Sequence, residues 1–160
     1  LTHVDNKTNQ PTMVDVSHKN PTVREAHARC FVQLPQKIRE LFGDGEIKSS
    51  KGPVFATAIV AGTMAVKKTS DLIPLCHPLS IEKCKFNIQL LSDLPTRVQI
   101  DCVVSISGKT GVEMEALTGC NVAALTVYDM CKALSHDIVI TNCHLVKKTG
   151  GKSDYKLPHE

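Results

Sequence analysis

The sequence has no tryptophan, and only six of its 160 residues are aromatic. Modules that bind RNA on a β-sheet stack bases on exposed aromatics, whereas the polar strand faces here carry Lys, Gln, Asn and Ser. A surplus of one charge is also missing: 19 Lys and Arg stand against 16 Asp and Glu, a net +3. That balance argues against nucleic acid or an anionic membrane as partner, and leaves room for a local basic pocket that takes a small anion. No apolar run approaches the length of a bilayer span. No two cysteines are spaced C-x-x-C and the seven His are scattered, so no metal site is expected. The seven cysteines, an odd number, sit inside strand and helix patterns. Reduced, buried thiols of this kind belong to the cytoplasm, or to the mitochondrial matrix in a eukaryote. The chain starts at Leu1 rather than Met, as a piece of a longer polypeptide would, and a targeting segment is not visible in it.

What is present suits one domain over residues 1–160, with 42% apolar residues to build a core. Residues 1–20 are polar apart from Met13–Val16 and predict an N-terminal arm that orders only against the core or a neighbouring subunit. Residues 24–34 alternate, with Ala26, Ala28, Cys30, Val32 and Leu34 on one face, predicting a half-buried strand. Pro35 opens a short helix with Ile38, Leu41 and Phe42 inward, and a polar loop runs to Lys51. Pro53 opens a second helix to about Lys68, whose Ala and Gly residues admit the close approach of another backbone. Two prolines bracket Cys76-His77 and predict a stiff, extended connector. Two alternating strands, 83–90 and 97–107, form a hairpin around the 92–96 turn. A last strand covers about 137–146, and 148–160 form a flexible basic tail. The order strand, helices, strand, strand, helix, strand is that of an α+β, ferredoxin-like split β-α-β fold with an extra short helix. Its antiparallel sheet carries its helices on one face.

The stretch from Gly108 to Lys132 holds the longest helix. Leu117, Cys120, Ala123, Ala124, Val127, Tyr128 and Cys131 make most of its surface apolar. Glu115, Thr118, Asn121, Thr126, Asp129 and Lys132 share a sector of about 160°. Asp129 and Lys132 are i, i+3 neighbours and can act on one object. Gly108-Lys109-Thr110 has the end of a P-loop, but position 103 is Val where that motif needs Gly, so Lys109 reads as part of a plain turn. Lys51, Lys67, Lys132 and Lys148 all fall at element ends, where pockets form, and clustered ammonium groups suit a polyphosphate.

Several blocks together resemble the cyclic pyranopterin monophosphate synthase family, the C-proteins of molybdenum cofactor biosynthesis. They are LIPLCHPL (72–79), KTGVEMEALT (109–118), ALTVYDMCKA (124–133) and KTGGKS (148–153), with MVDVS (13–17), VREA (23–26) and the Lys51-Gly52 turn. The resemblance implies a lyase that converts the 3′,8-cyclo-7,8-dihydro form of GTP, a purine-derived triphosphate, into cyclic pyranopterin monophosphate and pyrophosphate. It implies no cofactor, a homohexamer built as a trimer of dimers with the active site at a subunit interface, and a functional link to a radical S-adenosylmethionine GTP cyclase. Carried over position by position, Asp129, Lys51 and Lys132 match the catalytic residues. Leu75, Cys76, His77, Glu113, Met114 and Glu115 match substrate-binding segments, and Arg24, Lys67 and Lys148 match basic residues near the triphosphate. Proton shuttling for ring rearrangement needs a carboxylate beside lysines, and expulsion of pyrophosphate needs cations. One departure is Pro53, where the family commonly has Asp. A non-catalytic ferredoxin-like assembly module stands as the alternative; it would keep the fold and lose the charged pocket.

Overall fold

Alternation along Thr22–Gln33, Lys83–Leu90 and Arg97–Gly108 decides which face of the main sheet is covered. The computed structural model describes residues 4, 5 and 7–158. Residues 1–3 and 6 of the expected arm, and 159–160 of the expected tail, lie outside them. Strand β1 (Thr22–Gln33) is followed by the short helix α1 (Gln36–Arg39) and three short strands, β2 (Phe42–Gly43), β3 (Glu46–Ser49) and β4 (Gly52–Pro53). Helices α2 (Val54–Lys67) and α3 (Thr69–Leu72) lead to β5 (Lys83–Leu90) and β6 (Arg97–Gly108). Then come the long helix α4 (Glu113–Cys131), β7 (Val139–Thr149) and β8 (Tyr155–Lys156). The main sheet has the order β5-β6-β1-β7-β8, and all its pairs are antiparallel. Without the β8 edge this is the strand order of a ferredoxin-like α+β fold.

Ala26, Ala28, Cys30 and Val32 of β1 and Val98, Ile100, Cys102 and Val104 of β6 have no exposure at all. They meet Ala116, Cys120, Ala123, Ala124 and Val127 of α4 in one cluster. Helix α2 crosses α4 at two glycines: a Cβ on Gly62 would sit 3.0 Å from the carbonyl oxygen of Gly119. The close approach anticipated from the small residues of α2 is therefore made here.

Four expectations need correction. The polar loop before Lys51 is a three-stranded sheet, β2-β3-β4, formed because Asp44 and Gly45 take positive φ and close a tight hairpin. Leu41 points outward, since α1 stops at Arg39 and only Ile38 of that helix is buried. The tail is not loose along its length: β7 runs to Thr149, and Tyr155–Lys156 pairs back onto Lys147 and Lys148. Glu115, assigned to the polar sector of α4, is buried, as described below.

The helix-free face of the sheet is polar but not simply wet. Asp101 is 8% exposed there, bonded to His27 and Arg29 at 2.7 Å each and to Gln99 at 2.7 Å. Burial alone would raise its carboxyl, but the hydrogen bonds from these three partners outweigh it and hold the group below its usual range.

Candidate active site

Lys51 and Asp129 are far apart in sequence, and the small sheet joins them. Pro53 precedes α2 and offers that helix no side-chain cap. Glu46 of β3 takes that role, accepting the N–H groups of Phe55 and Ala56 at 2.7 and 3.0 Å and of Ile47 at 2.8 Å. The β3–β4 turn is thereby tied to the start of α2, and Ser49 closes it by bonding Lys51 N–H and the Gly52 carbonyl. From this turn the Lys51 ammonium reaches the C-terminal end of α4. It donates to Asp129 Oδ2 at 2.7 Å and to the Asp129 carbonyl at 3.0 Å. The other carboxylate oxygen, Oδ1, takes Lys132 at 2.7 Å. Pro53 does not displace the lysine beside it.

With a lysine on each oxygen, Asp129 is held down to about 2, chiefly by Lys132 and then by Lys51. Asp129 in turn raises Lys132. The three side chains are about half exposed. At neutral pH the group is a carboxylate with two ammonium ions, open on one side to anything that docks there.

The other end of α4 holds a different set. Leu75, Cys76, His77, Glu113, Met114 and Glu115 line a cavity of about 340 Å³ together with Val14, Val16 and Lys19 of the N-terminal arm. Glu115 is 4% exposed there; burial, helped by the negative charge of Glu113, raises its carboxyl above the usual range. Burial and then Glu115 raise the Cys76 thiol. His77 Nε2 lies 2.8 Å from the Val14 carbonyl oxygen; a carbonyl only accepts, so Nε2 carries the hydrogen. A larger cavity, about 510 Å³, shares Lys19, Thr110, Gly111 and Glu113 with the first and adds Arg24, Lys148 and the Gly150–Gly151 turn. Arg24 Nε donates to the Gly108 carbonyl at 2.9 Å, and Lys148 pairs with Glu113 at 3.1 Å. These basic groups suit a phosphate chain.

The chain's own geometry keeps the two sets apart. Glu113 opens α4 and Asp129 lies in its last turn, which at 1.5 Å per residue is roughly 24 Å. Lys67, expected near the triphosphate, lines neither cavity; it is exposed at the end of α2, where its charge acts on Cys84.

A model of the MoaC family matches residues 13–151, most of the chain. The chain belongs to the MoaC family. It is 51% identical to a protein of Xanthomonas oryzae pv. oryzae named cyclic pyranopterin monophosphate synthase, over 96% of this chain and 92% of that protein. It is 54% identical to the molybdenum cofactor biosynthesis bifunctional protein of Synechocystis, and 52% identical to molybdenum cofactor biosynthesis protein 1 of Dictyostelium discoideum. The chain spans 45% and 26% of those two longer proteins.

The MoaC match begins at Met13, and so takes in the arm that walls the smaller cavity. Sequence reasoning missed Lys19, which lines both cavities. A single lysine in a polar arm looks solvated, and only the adjacent MVDVS block signalled otherwise. Glu46 was missed for a similar reason: its partners are backbone amides, which leave no pattern.

Proposed function

We propose that this MoaC-family chain is a cyclic pyranopterin monophosphate synthase, a phosphorus–oxygen lyase of molybdenum cofactor biosynthesis. Its substrate is the 3′,8-cyclo-7,8-dihydro form of GTP, and its products are cyclic pyranopterin monophosphate and pyrophosphate. The observation that carries this reading is the Lys51–Asp129–Lys132 cluster, a carboxylate ionised down to about 2 with an ammonium on each oxygen. Asp129 stays ionised and orients the two lysines, which are suited to donate protons during ring rearrangement or to steady departing pyrophosphate. Glu115 is pushed the other way and is suited to hold a proton. Arg24, Lys148 and Lys19 line a cavity of the size and charge for the triphosphate.

The separation along α4 supports an assembled site. A substrate held at Arg24 and Glu115 does not meet Asp129 of the same chain, so the triad comes from a second copy in a homohexamer, a trimer of dimers. The seven free thiols suit a reducing compartment, the cytoplasm or mitochondrial matrix. No described helix is long and apolar enough to cross a membrane.

The test is turnover of the cyclised dihydro-GTP, read as pyrophosphate and pterin. Asp129→Asn loses activity by on the order of 10²-fold or more while light scattering still finds the hexamer; full turnover by that variant refutes the assignment. Mixing Asp129→Asn with Glu115→Gln protomers restores about a quarter of wild-type activity through random pairing if each site draws on two copies. A mixture as inactive as its parts places the site within one chain.

A further inference from the structure

We infer that Lys109 is a positioning residue: with His77 it latches residues 13–20 in place as a wall of the substrate cavity, so that Lys19 faces the phosphates. The inference rests on the reading of the cavities given above. Residues 13–20 form neither helix nor strand, yet their backbone has a defined course. Asp15 Oδ1 accepts the Ser17 N–H at 2.8 Å, and the Lys19 N–H bonds the Val16 carbonyl at 3.1 Å. Two hydrogen bonds of long sequence separation tie this shape to the core. His77 Nε2 donates to the Val14 carbonyl at 2.8 Å, and Lys109 Nζ donates to the Ser17 carbonyl at 2.7 Å.

The latches grow from the two loops that line the rest of the smaller cavity. His77 belongs to the Leu75–His77 segment and Lys109 immediately precedes Thr110 and Gly111. Lys109 itself lines neither cavity, so it acts through the arm rather than on substrate. Ser17 is two residues from Lys19, which lines both cavities. Fixing the Ser17 carbonyl therefore fixes where the Lys19 ammonium starts from. Without the Lys109 bond, the stretch after Val14 keeps only its own turns and the partly buried Val16 as anchors among the described contacts, and Lys19 spreads over a wider range.

The effect belongs on binding, not chemistry. Lys109→Met raises KM for the cyclised dihydro-GTP about tenfold, the scale of one charge-assisted hydrogen bond, and leaves kcat within about twofold. Lys109→Arg keeps a donor and stays near wild type. The double variant Lys19→Met/Lys109→Met is no worse than Lys19→Met alone, because the latch has then lost what it positions. Multiplying effects, a fall in kcat at unchanged KM, or an arginine variant as impaired as methionine each overturn the proposal. Limited trypsin digestion gives a second, activity-free readout: cleavage after Lys19 is faster in Lys109→Met than in wild type or Lys109→Arg. Equal cleavage rates overturn the latch; faster cleavage of Lys109→Met alongside a wild-type protein that does not turn over the substrate overturns the functional reading and leaves the latch standing.

Discussion

The KTGGKS block carries two adjacent glycines that the structure makes unequal. Gly150 has φ +80 and follows β7. A methyl group built on it would fall inside the Val23 carbonyl oxygen, with the Val23 carbonyl carbon at 2.9 Å and Arg24 Cα at 3.2 Å. Those atoms are backbone of β1, where Val23 and Arg24 pair with Ser107 and Ile106 of β6 and the pairing with β7 begins at the next residue, Glu25, so the strand resists and the turn must swing away. Gly150→Ala then pays the left-handed strain of an L-residue and loses the Thr22 hydroxyl bond to the Gly150 carbonyl, 2.7 Å long. It also loses the Gly150 N–H bond to Asp154, 3.1 Å long. Together these cost roughly 2–3 kcal/mol, or a fall in Tm of roughly 5–10 °C for a chain of this size. Gly151 is the control. Its added methyl would find Arg24 Nη1 at 3.5 Å and Ser153 O at 3.9 Å, ordinary contacts with no positive φ. Gly151→Ala should lie within about 0.5 kcal/mol of wild type. Thermal and urea unfolding of the three proteins decide the matter, and KM should rise for Gly150→Ala because the turn lines the larger cavity beside Arg24. If the two variants unfold alike, the strain assigned to Gly150 is wrong.

Further outcomes are expected at three other positions. Burial raises the Glu115 carboxyl in the fold, so the folded chain binds its proton more tightly and stability falls as pH rises from the unfolded value of 4.5 through the folded one. Glu115→Gln removes that loss: Tm should rise at pH 8, change little at pH 4, and come with lost turnover, whereas a pH-independent change contradicts the assignment. Glu46→Ala strips the amides of Phe55 and Ala56 of their acceptor and should cost about 2 kcal/mol in urea unfolding, with weakened turnover because the Lys51 turn loosens. Cys84 is drawn down to about 7, first by its neighbour Cys102 and further by Thr63 and Lys67 against the effect of burial. It is also partly exposed. A maleimide at pH 7 should label it ahead of the buried Cys30, Cys102 and Cys120, as peptide mapping would reveal.

Alternation and turn chemistry alone place β1, β5, β6 and the long helix, because one side of each must be buried and the apolar residues recur with the period of the element. The ferredoxin-like order follows from that succession of elements. The long blocks around Asp129, His77 and Lys148 carry family membership, and the Lys51–Asp129 pair follows from them only as a correspondence of positions. What the linear pattern leaves open is anything made by partners distant along the chain. The β2-β3-β4 sheet rests on a two-residue turn and on a glutamate that binds amides. Glu115 lies on a polar sector of a helical wheel yet is buried, in a cavity whose lining it shares with the arm and the 75–77 loop. Lys109 sits in a turn whose sequence says nothing of the Ser17 carbonyl 2.7 Å away. The two ends of α4 stay roughly 24 Å apart however the sequence is read, since a helix is a rigid spacer. Local periodicity is a property of neighbours in sequence, whereas burial, pKa and reach belong to neighbours in space, which only the tertiary fold assigns.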